Sequence, residues 1–236
     1  MNEPSTIQAG LDAWMVESGE FPELHVGEVA ELWLCARVWA MDGQGTVPDG
    51  ATLPDRKRGP QRLHATVSWV GLHKRRLRLV VEHAGAPVAV EPVFARRPRR
   101  QSPWMRLRGQ EGIPVFVPME FPEPAIGASV ELACHVSVMA DYEIEGIWTG
   151  PVVAARYRVE HIDAVVFTPQ NLPDGADESD DFPEPPRRVV TGLDSTRKPP
   201  GLIPFDMTDD GRFSGEDVSS YRLVLRPVGS SRTTQD

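Results

Sequence analysis

Glu20-Phe21-Pro22-Glu23 returns a hundred positions later as Glu120-Phe121-Pro122-Glu123. Continued without gaps, the alignment sets Gly27 over Gly127, Glu31 over Glu131, Leu32 over Leu132, Val38 over Val138 and Ala40 over Ala140. Nine of the 23 positions from 20 to 42 are identical, where chance at about 6% per position gives roughly one or two. Self-similarity at a fixed offset marks a repeated unit, so the sequence predicts an internal duplication. Each copy implies the same course. A short apolar stretch (Ala13 to Val16, or Ile113 to Val117) leads into a turn with Pro, then Val26-Gly27 or Ile126-Gly127. A long strand follows, Val29 to Met41 in the first copy and Ser129 to Ala140 in the second. The glycines stand where a positive φ sets the angle at which the strand begins. Residues 5–16 also fit a short helix, but the repeat favours a strand at Ala13.

Outward from these segments the signals remain β. Leu63, Ala65, Val67 and Trp69 alternate with His64, Thr66 and Ser68, the pattern of a strand with one buried face. Arg76-Leu77-Arg78-Leu79 alternates too, and puts both arginines on the face opposite the leucines. Ala84-Gly85-Ala86 reads as a hairpin turn into Pro87 to Ala95. The second copy offers two strands, Val152 to Val159 and Ile162 to Phe167, and a closing one at Tyr221 to Leu225. Between them, residues 169–200 are Pro-rich and carry Asp174, Asp177, Glu178, Asp180, Asp181 and Glu184. Such a composition buries too little apolar area to offset chain entropy, so a disordered insertion is expected there. Residues 230–236 read as a tail.

These short strands predict an all-β fold: two related small β-barrels of the OB or SH3-like type, residues 1–109 and 110–236, with the long acidic Pro-rich loop in the second. A two-sheet sandwich built from both copies is the rival. The pattern Trp14…Gly19-x-x-Pro22…Val26-Gly27, leading into a long strand, resembles small uncharacterised β-barrel proteins of high-GC bacteria. That resemblance covers about 30 residues and implies no function.

Charge is unevenly spread. The net charge is −9, yet residues 1–50 sum to −8, residues 51–110 to +11 and residues 111–150 to −7. Within the basic stretch, Lys74, Arg75, Arg76, Arg78, Arg97 and Arg100 are the candidate binding residues, with Trp104 among them as a stacking partner. Arginine clusters of this kind neutralise phosphates, and aromatic rings stack on bases. The simpler account is that acidic and basic strands of this chain lie side by side and neutralise each other.

The search for chemistry returns little. Cys35 and Cys134 form no C-x-x-C pair, which predicts free thiols and a reducing compartment. The N-terminal residues lack the apolar run of a signal peptide, and no segment is long and apolar enough for a bilayer. A cytoplasmic protein without membrane contact is expected. The six histidines lack metal spacing, and adjacent Cys134 and His135 point to opposite faces of a strand. Asp206, Asp209 and Asp210 miss the spacing of a calcium loop. No G-x-S-x-G, Walker loop or G-x-G-x-x-G occurs. Tyr142, Glu143, Glu145 and Trp148 could rim a pocket, with a solvated turn as the simpler reading. No catalytic residue, metal or cofactor is therefore named. The expected function is a non-enzymatic binding or accessory protein that contacts a macromolecular partner, in the first place a protein. A nucleic-acid binder using the arginine-rich face is the alternative, and an enzyme with an unrecognised site is the third.

Overall fold

The computed structural model describes residues 6–53, 60–73, 76–97, 115–139, 148, 150–151, 154–168, 186–203, 205–207 and 213–228. In chain order the strands are β1 (Ile7–Asp12), β2 (Val29–Met41), β3 (Gln61–His73), β4 (Arg76–His83), β5 (Ala86–Pro92), β6 (Phe94–Arg97), β7 (Val115–Pro118), β8 (Ser129–Val138), β9 (Ala154–Phe167), β10 (Arg187–Val190), β11 (Asp206–Met207), β12 (Phe213–Ser214) and β13 (Asp217–Pro227). Among the described residues the one helix is α1 (Ala13–Glu17). The fold is thus nearly all β. Contacts divide the chain into two compact units. The first is Met1–Glu31 with Arg156–Val228, and the second is Leu32–Ala155 with Gly229–Asp236. The boundary expected between residues 109 and 110 lies outside the described residues.

In the second unit five strands pair in a sequence that returns to its start. β8 pairs with β2, β2 with β5, β5 with β4, β4 with β3, and β3 with β8 again. Only the β2–β5 pair is parallel. The long strands make this possible by serving two partners along their length. β3 meets β8 through residues 61–66 and β4 from residue 66 onward. Ala84 and Gly85, with φ of 51° and 79°, form the expected hairpin turn between β4 and β5. In the first unit the order is β10-β9-β13-β1, antiparallel throughout.

The two copies of the repeat begin their long strands in the same way. Gly27 and Gly127 have φ of 87° and 85°, the third position of a type II turn, where glycine avoids a steric penalty. Glu28 N–H closes the first turn on His25 O at 3.1 Å, and Ala128 N–H closes the second on Ala125 O at 3.0 Å. Gly27 N–H donates to Val159 O on β9, and Gly127 N–H to Val67 O on β3, both at 2.7 Å. Val159 and Val67 donate back to the carbonyls of Glu28 and Ala128, both at 2.9 Å. A β-bulge follows each of these valines. The register skips Ser68 between β3 and β4, and skips Glu160 between β9 and β13. A bulge turns the buried face by one residue. On β9 the buried set accordingly changes phase, from Tyr157 and Val159 to Ile162 and Ala164.

Three expectations need correction. The strand expected at Ala13 is helix α1, which buries Ala13 and Met15 and is ended by Gly19 at φ 78°. Its counterpart, β7, is a strand because it pairs with β6. Phe21 therefore follows a helix and Phe121 a strand. Phe21 N–H bonds Met15 O, whereas the Phe121 ring packs on Trp39, Val93 and Met119. The two strands expected at 152–167 are one continuous strand, β9, because the change of phase at Glu160 is a bulge and not a break. Residues 186–200, the end of the expected excursion, carry β10 and a segment in which Thr196 is wholly buried. Residues 169–185, 98–114 and 229–236 lie outside the described residues.

An added methyl group meets nothing within 4 Å at either Gly27 or Gly127. Gly27→Ala and Gly127→Ala should therefore each cost only the backbone strain of a positive φ, about 1–2 kcal/mol. Urea unfolding of the two variants measures this. A near-zero loss in either would show that its turn does not need that geometry.

Candidate functional site

The second unit carries an open groove of about 440 Å³. Its walls come from five short pieces of chain, one of them Pro48 between β2 and β3. The end of β3 and start of β4 give Leu72, Arg76 and Leu77, the end of β6 gives Arg97, β7 gives Val117 and Pro118, and the segment after β7 gives Met119, Glu120, Phe121 and Glu123. Met119 and Phe121 belong to a cluster with Trp39 and Val93 that anchors this floor. The strand ends are held by backbone bridges, Thr46 to Glu120 and Thr52 to Arg96. The lining is thus an apolar base with two guanidinium groups and two carboxylates, none of which forms an ion pair among the described residues. Arg76 is steadied by the Phe94 ring, its guanidinium carbon 4.9 Å from the ring centre. Arg97 has a buried Nε without a hydrogen-bond partner among the described residues. Leu72, at the lip, is 67% exposed.

The residues singled out from the sequence have separate fates. Arg76 and Arg97 meet in the groove. Arg78 does not face water with Arg76. It is buried and pairs with Glu91 at 3.0 Å. The cause is register: Leu79 lies opposite Val90, so one residue back Arg78 meets Glu91 on β5. The Arg78 guanidinium also lies 5.5 Å from the Trp148 ring. Trp148 itself is buried with Cys35, Val80, Ala89 and Met139, against Trp33 and Trp69. Arg62 is likewise answered by a carboxylate, Glu131, at 3.1 Å. Part of the basic stretch is therefore neutralised within the unit. Lys74, Arg75, Arg100 and Trp104 lie outside the described residues, as do Tyr142, Glu143, Glu145, Asp209 and Asp210. Of the groove residues only Arg76 and Arg97 were singled out from the sequence; among those missed are five, Leu72, Met119, Glu120, Phe121 and Glu123. The signal was present: three of the five belong to the repeated Glu-Phe-Pro-Glu.

Among the described residues no three His, Cys, Asp or Glu side chains are grouped to hold a metal ion, and no helix is long and apolar enough to cross a membrane. No protein family, curated protein or solved structure matches the chain.

Breaking the buried pair removes the carboxylate that answers the buried Arg78 guanidinium. Glu91→Leu should cost about 3–5 kcal/mol, and Arg78→Met with Glu91→Leu should recover most of it. Urea unfolding of the single and double variants tests this, and additive losses would refute it. Both cysteines are free and buried. Burial pushes the Cys134 thiol from 9.0 up to about 12. The native state thus keeps a proton that the unfolded thiol releases near 9, so stability should fall as pH rises from about 9 toward 12. Cys134→Ala should flatten that alkaline decline in urea midpoints, and an unchanged slope would assign the decline to other groups.

Proposed function

We propose that this chain is a non-enzymatic accessory protein that binds another protein, and that the groove of the second unit is the contact. One observation carries the reading: Arg76, Arg97, Glu120 and Glu123 share a groove whose base is apolar. Charges of both signs around an apolar floor suit an extended peptide that carries both signs and a hydrophobic side chain. They suit a polyanion poorly, because Glu120 and Glu123 repel phosphates while Arg78 is committed to Glu91. The nucleic-acid reading is therefore the weaker one. We also read the closed five-strand pairing as a small barrel of the OB or SH3-like type, and the matched turns and bulges as the trace of a duplication. Support for this is the pair of identical turn geometries and the bulge one residue after each receiving valine.

A random-peptide display selection on the immobilised full chain tests the reading. Enriched peptides should bind saturably and lose about tenfold or more in affinity on Leu72→Asp or Arg97→Glu, the scale of one central contact. A labelled single-stranded oligonucleotide should show no saturable binding at low salt. Peptides indifferent to both substitutions, or oligonucleotide binding that weakens steeply with salt, would overturn the proposal.

A further inference from the structure

The repeated segment carries a second stretch of chain along it in one copy, and among the described residues it carries none in the other. In the first unit, residues 194–197 lie along residues 23–26 as an antiparallel strip, with a bridge between His25 and Ser195. Val26 N–H donates to Asp194 O, and Thr196 N–H to Leu24 O, both at 2.9 Å. Leu24 N–H returns a bond to Thr196 Oγ1 at 2.9 Å. Ser195 Oγ donates to Glu23 Oε1 at 2.6 Å, and Arg197 Nε lies 4.0 Å from Glu23 Oε2. Glu23 thus reads a hydroxyl and a cation that arrive on one extended segment.

In the second unit, residues 123–126 occupy the matching place before a turn of the same geometry. Glu123, Ala125 and Ile126 are exposed, and no described residue pairs with this stretch. Glu123 also lines the groove. The two backbone groups that hold the strip in the first unit have equivalents here, the carbonyl of Pro124 and the N–H of Ile126, and no described residue bonds to either. Pro124 has no N–H, so the bond equivalent to Leu24 N–H on Thr196 Oγ1 is lost. The carboxylate and both ladder groups remain.

We propose that residues 123–126 dock an extended peptide of a partner protein, in which a Ser or Thr stands two residues before a basic residue, as Ser195 stands before Arg197. The peptide adds as residues 194–197 add to residues 23–26. The hydroxyl donates to the Glu123 carboxylate and the cation lies beside it, while main-chain bonds form to Pro124 O and Ile126 N–H. The inference rests on the reading of the groove as a protein contact and names what that contact recognises.

The probe is the chain's own strip supplied free, a labelled peptide of sequence Gly-Leu-Asp-Ser-Thr-Arg-Lys-Pro (residues 192–199). It is titrated into the full chain by fluorescence anisotropy up to about 1 mM, the scale of effective concentration that a short tether supplies. Saturable binding is expected, weakened about tenfold by Glu123→Gln, which removes a charged acceptor. Ile126→Pro should weaken it similarly: proline suits the second position of a type II turn, so the turn survives while the N–H is lost. Glu23→Gln should leave the affinity unchanged. Absence of saturable binding, equal affinity in the Glu123 and Ile126 variants, or a dependence on Glu23 each overturns the proposal. A strip peptide that fails while display-selected peptides still depend on Leu72 and Arg97 refutes this recognition rule alone and leaves the groove reading intact.

Discussion

A glycine N–H aimed at a strand carbonyl is the constraint from which the rest of this architecture follows. At Gly27 and at Gly127 the positive φ turns the chain so that this N–H reaches a valine on another strand. The valine answers with its own N–H, and the ladder that starts there fixes the register of the strand to come. Once register is fixed, so is the set of side chains that faces inward. The bulge one residue beyond the valine then bends the receiving strand, which is how β3 can serve β8 with one end and β4 with the other. Neither glycine has anything near its missing side chain. The requirement is conformational and not one of space.

Much of this could be read from the residues in advance. β2 runs from Val29 to Met41 as its apolar pattern indicates. Leu63, Ala65 and Val67 are buried while His64, Thr66 and Ser68 are exposed, as simple alternation requires. What alternation cannot carry is an event that interrupts it. At Glu160 the phase of β9 changes without the strand ending, and a period of two interprets that change as two strands. Helix α1 was missed for a different reason: residues 5–16 fit a short helix, but the repeat favours a strand at Ala13. Its copy at residues 115–118 is extended only because β6 lies beside it, so the two segments owe their conformations to neighbours rather than to their own residues.

The candidate site shows the same division. Arg76 and Arg97 stand out in any charge profile, and both reach the groove. Arg78 stands out equally but is claimed by Glu91, because the β4–β5 register decides which charges are neighbours and the register is not visible in a charge profile. The groove floor was legible in another guise. Phe121 and its flanking glutamates, which line the groove, mark the repeat.

β1 and β13 are hydrogen-bonded along their whole shared length, with Ile7 opposite Leu225. Of the described strands, these are the first and the last to leave the ribosome. Throughout synthesis the apolar face of β1, Ile7, Ala9 and Leu11, must stay without that neighbour while the residues of the second unit emerge and find their own partners. The β1–β13 pairing can therefore form only after the other described strands have been made, which places a contact of the highest sequence separation in the first unit.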